Sequence, residues 1–154
     1  MKIVEVLLNA GAKPNITDNN GDMALMTAVI GKHIEAVRIL LHKGTYSVGV
    51  RESRPLPLAT AAAKGYIDLV AILIQYAADI DEIDGTGFTP LMSASAFGCL
   101  EVVDLLFRLE ADAKKQTETE LDALTCAVAA GHIAVAKTLM KAYLSIRWNL
   151  CKYV

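Results

Sequence analysis

Apolar residues recur along this chain in short paired segments at helical spacing, with polar turns between them. Ile34, Val37, Leu40 and Leu41 follow an i, i+3, i+6, i+7 pattern, which puts them on one face of an α-helix. The stripe returns as Ile67, Val70, Leu73 and Ile74, and again as Leu100, Val103, Leu106 and Phe107. A shorter apolar segment precedes each stripe: Leu25, Ala28 and Val29, then Leu58, Ala61 and Ala62, then Leu91 and Ala94. Leu25, Leu58, Leu91 and Leu124 lead these segments and fall 33 residues apart each time. Self-similarity at such a period predicts one helix pair per unit, each unit burying its apolar face against the next.

Start and stop signals divide the chain. Residues 1–17 read as the second half of a unit, because Val4, Leu7 and Leu8 precede Val37, Leu40 and Leu41 by the same 33 residues. Full units follow at 18–50, 51–83, 84–116 and 117–143, with a tail at 144–154, all within one domain spanning 1–154. Pro57 and Pro90 stand at first helical positions, where a missing N–H leaves nothing unpaired. Thr89 and Asp122 are placed to cap helix starts by accepting a backbone N–H. Met23 cannot cap, although Asp22 lies beside it, so that helix is expected to start less firmly. Beyond Met140 no Gly-Ala turn occurs; the segment either extends the last helix or lies over the end of the stack.

Several rows keep register at the same period: Ala28/Ala61/Ala94/Ala127, Leu7/Leu40/Leu73/Leu106/Leu139, His33/Tyr66/Cys99/His132 and Val4/Val37/Val70/Val103/Ala136. Together with Thr89-Pro90-Leu91 and the glycines Gly65, Gly98 and Gly131, these rows resemble the ankyrin repeat family over about residues 1–142. The resemblance implies an all-α ankyrin-repeat solenoid: helix–turn–helix repeats joined by β-hairpin-like loops. In that family a Thr-Pro-Leu-His histidine ties one unit to the next. Its place is held here by Met26, Ala59, Met92 and Thr125, which leaves packing to do more of that work. Lys32 replaces the glycine before the second helix in the first full unit. The Gly-Ala that ends a unit becomes Ala77-Ala78 and Glu110-Ala111, where a left-handed residue without glycine costs energy.

Composition agrees with an aliphatic, closely stacked core. Apolar residues make up 54% of the 154, but aromatics only 6%, and mean hydropathy is +0.39. The net charge of −2 argues against nucleic acid as a partner. No apolar run reaches the roughly 18 residues that span a bilayer, and the start of the chain reads as no signal peptide. Three cysteines without a CxxC pair suit reduced thiols in an intracellular, cytoplasmic setting.

Reactive chemistry is sparse. No metal-ligand spacing, phosphate loop or nucleophile motif occurs, so neither a catalytic set nor a cofactor is expected. His33 and His132, at matching places before second helices, read as histidines packed and hydrogen-bonded within their own units. His42 near a helix end suits the negative pole there. Asp79, Asp81, Glu82 and Asp84 read as a solvated acidic hairpin.

What remains is surface. The resemblance implies that a protein or extended peptide is held by the concave face and the hairpin tips. Carried over by position, the tips offer Asn20 and Asp22, then Glu52, Ser53 and Pro55, then Thr86 and Phe88, then Leu121. The leading helices offer Ile30, Lys64 and Phe97. Small residues at Thr27, Thr60, Ser93 and Cys126 are expected to open a shallow groove. Phe88 and Phe97 stand where polar residues are usual, so a hot spot flanked by Tyr66 and Lys64 is expected, with Phe88 alternatively folded onto its own hairpin. The leading functional reading is a scaffold or adaptor. The alternatives are a stoichiometric inhibitor of an enzyme such as a protein kinase, and a regulatory fragment of a larger multidomain protein. The half unit at the start and the apolar tail suggest a piece of a longer array, or self-association through uncapped ends.

Overall fold

The computed structural model describes residues 2–16, 18, 23–43 and 56–150. Among them are α1 (Lys2–Asn9), α2 (Ala24–Ile30), α3 (Ile34–His42), α4 (Pro57–Ala63) and α5 (Ile67–Gln75). Then come α6 (Pro90–Ala96), α7 (Leu100–Arg108), α8 (Ala123–Ala129) and α9 (Ile133–Leu150). The fold is an all-α repeat solenoid. Short first helices α2, α4, α6 and α8 pack in sequence on one another, and the longer second helices α1, α3, α5, α7 and α9 form a second layer behind them.

The leading-leucine row lies where the spacing places it. Leu25, Leu58 and Leu91 are buried, and Leu124 packs half-buried against the same core. The alanine row Ala28/Ala61/Ala94/Ala127 is buried between layers, small enough to let backbones approach. Leu40, Leu73, Leu106 and Leu139 are buried under a first helix, whereas Leu7, over which no first helix lies among the described residues, is 53% exposed. The other edge of the stack repeats this. Val29, Ala62 and Ser95 are fully covered by the pair that follows each, but Val128 at the same position in α8 is 62% exposed.

Helix starts differ in firmness. Thr89 Oγ1 accepts from Met92 N at 3.2 Å. Asp122 and Thr125 form a reciprocal capping box, each backbone N–H donating to the other's side chain at 2.7 Å. Met23 and Leu56 begin α2 and α4 without any side-chain cap. Pro57 and Pro90 occupy the first turns of α4 and α6.

Left-handed backbone appears at the same point of each pair. Gly65 and Gly98 take φ +69° and +70° before α5 and α7, and Lys32 takes φ +55° at the equivalent place before α3. After the second helices, Ala77 and Glu110 adopt φ +67° and +64°, where Gly11 takes +87° at the end of α1. Tyr143 holds the next position of this row, and there the chain does not turn: α9 continues to Leu150. A bulky residue in the left-handed region is strongly disfavoured. The Tyr143 hydroxyl instead donates to the Ala113 carbonyl of the preceding pair and lies 3.4 Å from Asp122 Oδ2.

Two outcomes follow from these turns. Ala77→Gly relieves a left-handed alanine at an exposed site and is expected to raise stability by about 0.5–1 kcal/mol, read as a higher urea midpoint. The second concerns Tyr143, whose phenol is pushed up to about 12, first by burial and then by the Asp122 charge. The folded state therefore favours the protonated phenol. Its contribution is fully present below the ordinary value near 10 and is lost as pH rises toward about 12. Tyr143→Phe should flatten the fall in thermal midpoint across that alkaline window; an unchanged slope would show that Tyr143 is not its source.

Candidate interaction surface

The turn between first and second helices carries one inter-pair contact made three ways. His132 Nε2 sits 3.1 Å from the Ala96 carbonyl of the preceding pair. Cys99 Sγ donates to the Ala63 carbonyl at 3.4 Å. Lys32 Nζ stands 5.0 Å from the centre of the Tyr66 ring, a cation–π distance, with Lys64 Nζ at 6.0 Å. His132 thus bonds across the seam and not within its own unit, contrary to expectation. The reason is steric: Gly98 leaves a gap in which a Cβ would stand 2.6 Å from His132 Nδ1. Cys99 approaches Gly65 in the same way, with its Sγ 3.3 Å from where a Cβ would be. Hydrogen bonds across the seam are thus made by Cys99 and His132, seven residues beyond Met92 and Thr125 at the place of the family's histidine.

The acidic hairpin is also more structured than a solvated loop. Asp84 is only 7% exposed. Its Oδ1 accepts from Thr86 N at 2.8 Å, Thr86 Oγ1 at 2.5 Å and Phe88 N at 3.0 Å, while Asp84 N donates to the Phe88 carbonyl. A carboxylate that gathers three donors needs no water shell, and its burial follows. Asp81 joins neighbouring pairs: Asp112 N donates to its carboxylate at 3.0 Å and 3.2 Å, and Lys115 Nζ donates to its carbonyl at 2.9 Å. In the next hairpin Thr117 takes the place of Asp84, accepting from Leu121 N at 3.1 Å through its hydroxyl.

On this frame Phe97 is the most exposed aromatic among the described residues, at 67%, immediately after α6. Lys64 occupies the same position after α4 and is exposed, with Tyr66 half-buried beside it. Ile30, at the end of α2, is 45% exposed. Thr86 and Leu121 are exposed on their hairpins. Phe88 is half-buried and packs against the core, so it offers only part of its ring. The row of small residues is not uniformly open: Thr27 is exposed and Thr60 half-buried, but Ser93 and Cys126 are buried. Asn20, Asp22, Glu52, Ser53 and Pro55 lie outside the described residues, as does the proposed Asp22 cap.

No group of three or more His, Cys, Asp and Glu side chains able to hold a metal occurs among the described residues. The Cys99 and Cys126 thiols are free and both are pushed up by burial, Cys126 also by the Asp122 charge, so the reactive thiolate is disfavoured in each. No helix among the described residues is long and apolar enough to cross a membrane.

Stacked helix pairs with a 33-residue register and hairpin links define a helical-repeat protein. A family model described as ankyrin repeats, in three copies, matches residues 1–84 and 58–149. The chain belongs to the ankyrin repeat family, whose repeats are generally protein–protein interaction modules and typically non-enzymatic.

The hairpin that displays Thr86 depends on one carboxylate. Asp84→Ala should leave the N–H groups of Thr86 and Phe88 without their acceptor and lower unfolding free energy by about 2 kcal/mol. Urea titration checks this; a loss within experimental scatter would mean that the hairpin closes without it.

Proposed function

We propose that this chain is a scaffold or adaptor that holds a partner protein or extended peptide along its first-helix face and hairpin tips. The observation that carries this reading is Phe97. A large apolar ring, 67% exposed, costs solubility in an unbound protein and supplies a strong anchor in a bound one. Lys64 and Tyr66 flank it from the preceding pair, adding a cation and a half-buried ring, and Ile30 lies further along the same edge. Thr86 and Leu121 extend the surface toward the hairpins, and Asn20, Asp22, Glu52, Ser53 and Pro55 are assigned to it by their place in the sequence repeat alone. Phe88 contributes its exposed edge. A row of such side chains held in register by the stack suits a partner that lies across several repeats, since part of the ordering cost is already met.

The test is a quantitative pull-down with wild-type and Phe97→Ala protein, followed by mass spectrometry and affinity measurement on the captured partner. Phe97→Ala should keep the wild-type thermal midpoint and weaken the partner by about 30-fold or more, the range of an interface hot spot. Equal capture by both proteins would remove Phe97 from the interface.

A further inference from the structure

A cavity of about 310 Å³ opens on the second-helix layer, away from every first helix. Its walls come from α1, α3 and the end of α5. Ile39 and Tyr76, both half-buried, form an apolar floor. Arg38 and His42 of α3, Lys43 just after it, and Glu5 and Asn9 of α1 complete the lining.

The basic side chains exceed what a helix end requires. Cations favour the last turn of a helix, where carbonyls lack partners. His42 and Lys43 lie there, but Arg38 is a full turn earlier, beyond the reach of that effect. Equivalent positions elsewhere do not repeat the set: α5 has Ala71, Gln75 and Tyr76, and α7 has Asp104, Arg108 and Leu109. Among the described residues of the lining, one carboxylate, Glu5, stands with the three basic side chains. The guanidinium presents a planar fork that matches two oxygens of a phosphate, the ammonium adds a point charge, and the imidazole and the Asn9 amide add hydrogen-bonding groups. The volume lies at the lower end of small-molecule sites, enough for one ring and its anionic substituent.

We propose that this cavity binds an organic phosphate monoester whose carrier is a flat apolar group. Arg38 and Lys43 hold the phosphate, His42 and Asn9 supply further hydrogen bonds, and the carrier lies on Ile39 and Tyr76. The site shares no residue with the surface assigned to the partner protein, so each stands or falls without the other.

Phenyl phosphate is the probe, added to the full chain at low ionic strength and followed by amide chemical shifts. Saturable shifts are expected at Arg38, Ile39, His42, Lys43 and Tyr76, with a Kd on the order of 1 mM. Arg38→Gln and Lys43→Gln, both at exposed positions and checked by circular dichroism, should each weaken binding about tenfold. Lys137→Gln, at the position of Arg38 in α9, should leave it unchanged. Inorganic phosphate should bind at least several-fold more weakly, because the floor then has nothing to hold. A short phosphotyrosine peptide binding tighter than phenyl phosphate would identify a modified protein chain as the source, and a weaker one a small molecule. The proposal fails if no saturable shift appears, if Lys137→Gln weakens binding as much as Arg38→Gln, or if inorganic phosphate binds as tightly as phenyl phosphate.

Discussion

Everything in this fold depends on the seam between one helix pair and the next. A single pair has apolar residues on a face that it cannot cover by itself, so stability resides in the neighbour relation. The exposures make this concrete. Val29, Ala62 and Ser95 are dry because another pair lies on them, and Val128 is wet because none does among the described residues. Leu7 shows the same dependence within a pair, being uncovered where its sister leucines lie beneath a first helix. Hydrogen bonds then fix the register that apolar contact alone leaves loose. His132 to Ala96, Cys99 to Ala63, and Asp112 and Lys115 to Asp81 each run from one pair to the one before.

The seam tolerates chemical variety because its geometry is set by the backbone. A left-handed residue precedes α3, α5 and α7, whether it is Lys32, Gly65 or Gly98. Where it is glycine, the next pair's side chain approaches closely. Where it is lysine, the neighbour is an aromatic ring that accepts the charge against its face. One structural task is thus met by an imidazole, a thiol and a phenol ring at the same place in successive pairs.

Much of this was legible in the sequence, and the limits have physical causes. Rows such as Leu25/Leu58/Leu91 announce a buried face because burial depends on periodicity alone. Caps at Thr89 and Asp122 are legible because their acceptors act three residues away. Asp84 was misread as solvated because its burial comes from three donors converging on one oxygen, a matter of local folding that composition does not encode. His132 was assigned to its own unit because nothing in a linear reading shows that Gly98 clears space for a ring from the following pair. The role of Tyr143, and the unbroken course of α9, required knowing that Ala113 and Asp122 would be within reach. The cavity between α1, α3 and Tyr76 was invisible for the same reason, although Arg38, His42 and Lys43 at i, i+4 and i+5 were its trace.

The uneven distribution of helix caps has a consequence for how the chain breathes. Among the described residues α6 and α8 are held at their starts by side chains, whereas α2 and α4 are not, and α1 lies against the stack with Ile3 and Leu7 in water. In an array whose cohesion passes only between neighbours, opening spreads from the weakest terminus inward. Amide protons of α1 and α2 should therefore exchange with solvent through frequent partial unzipping, while those of α6 to α8 wait for rarer, larger events. The molecule behaves less like one rigid block than like a hinged ladder anchored at its later rungs.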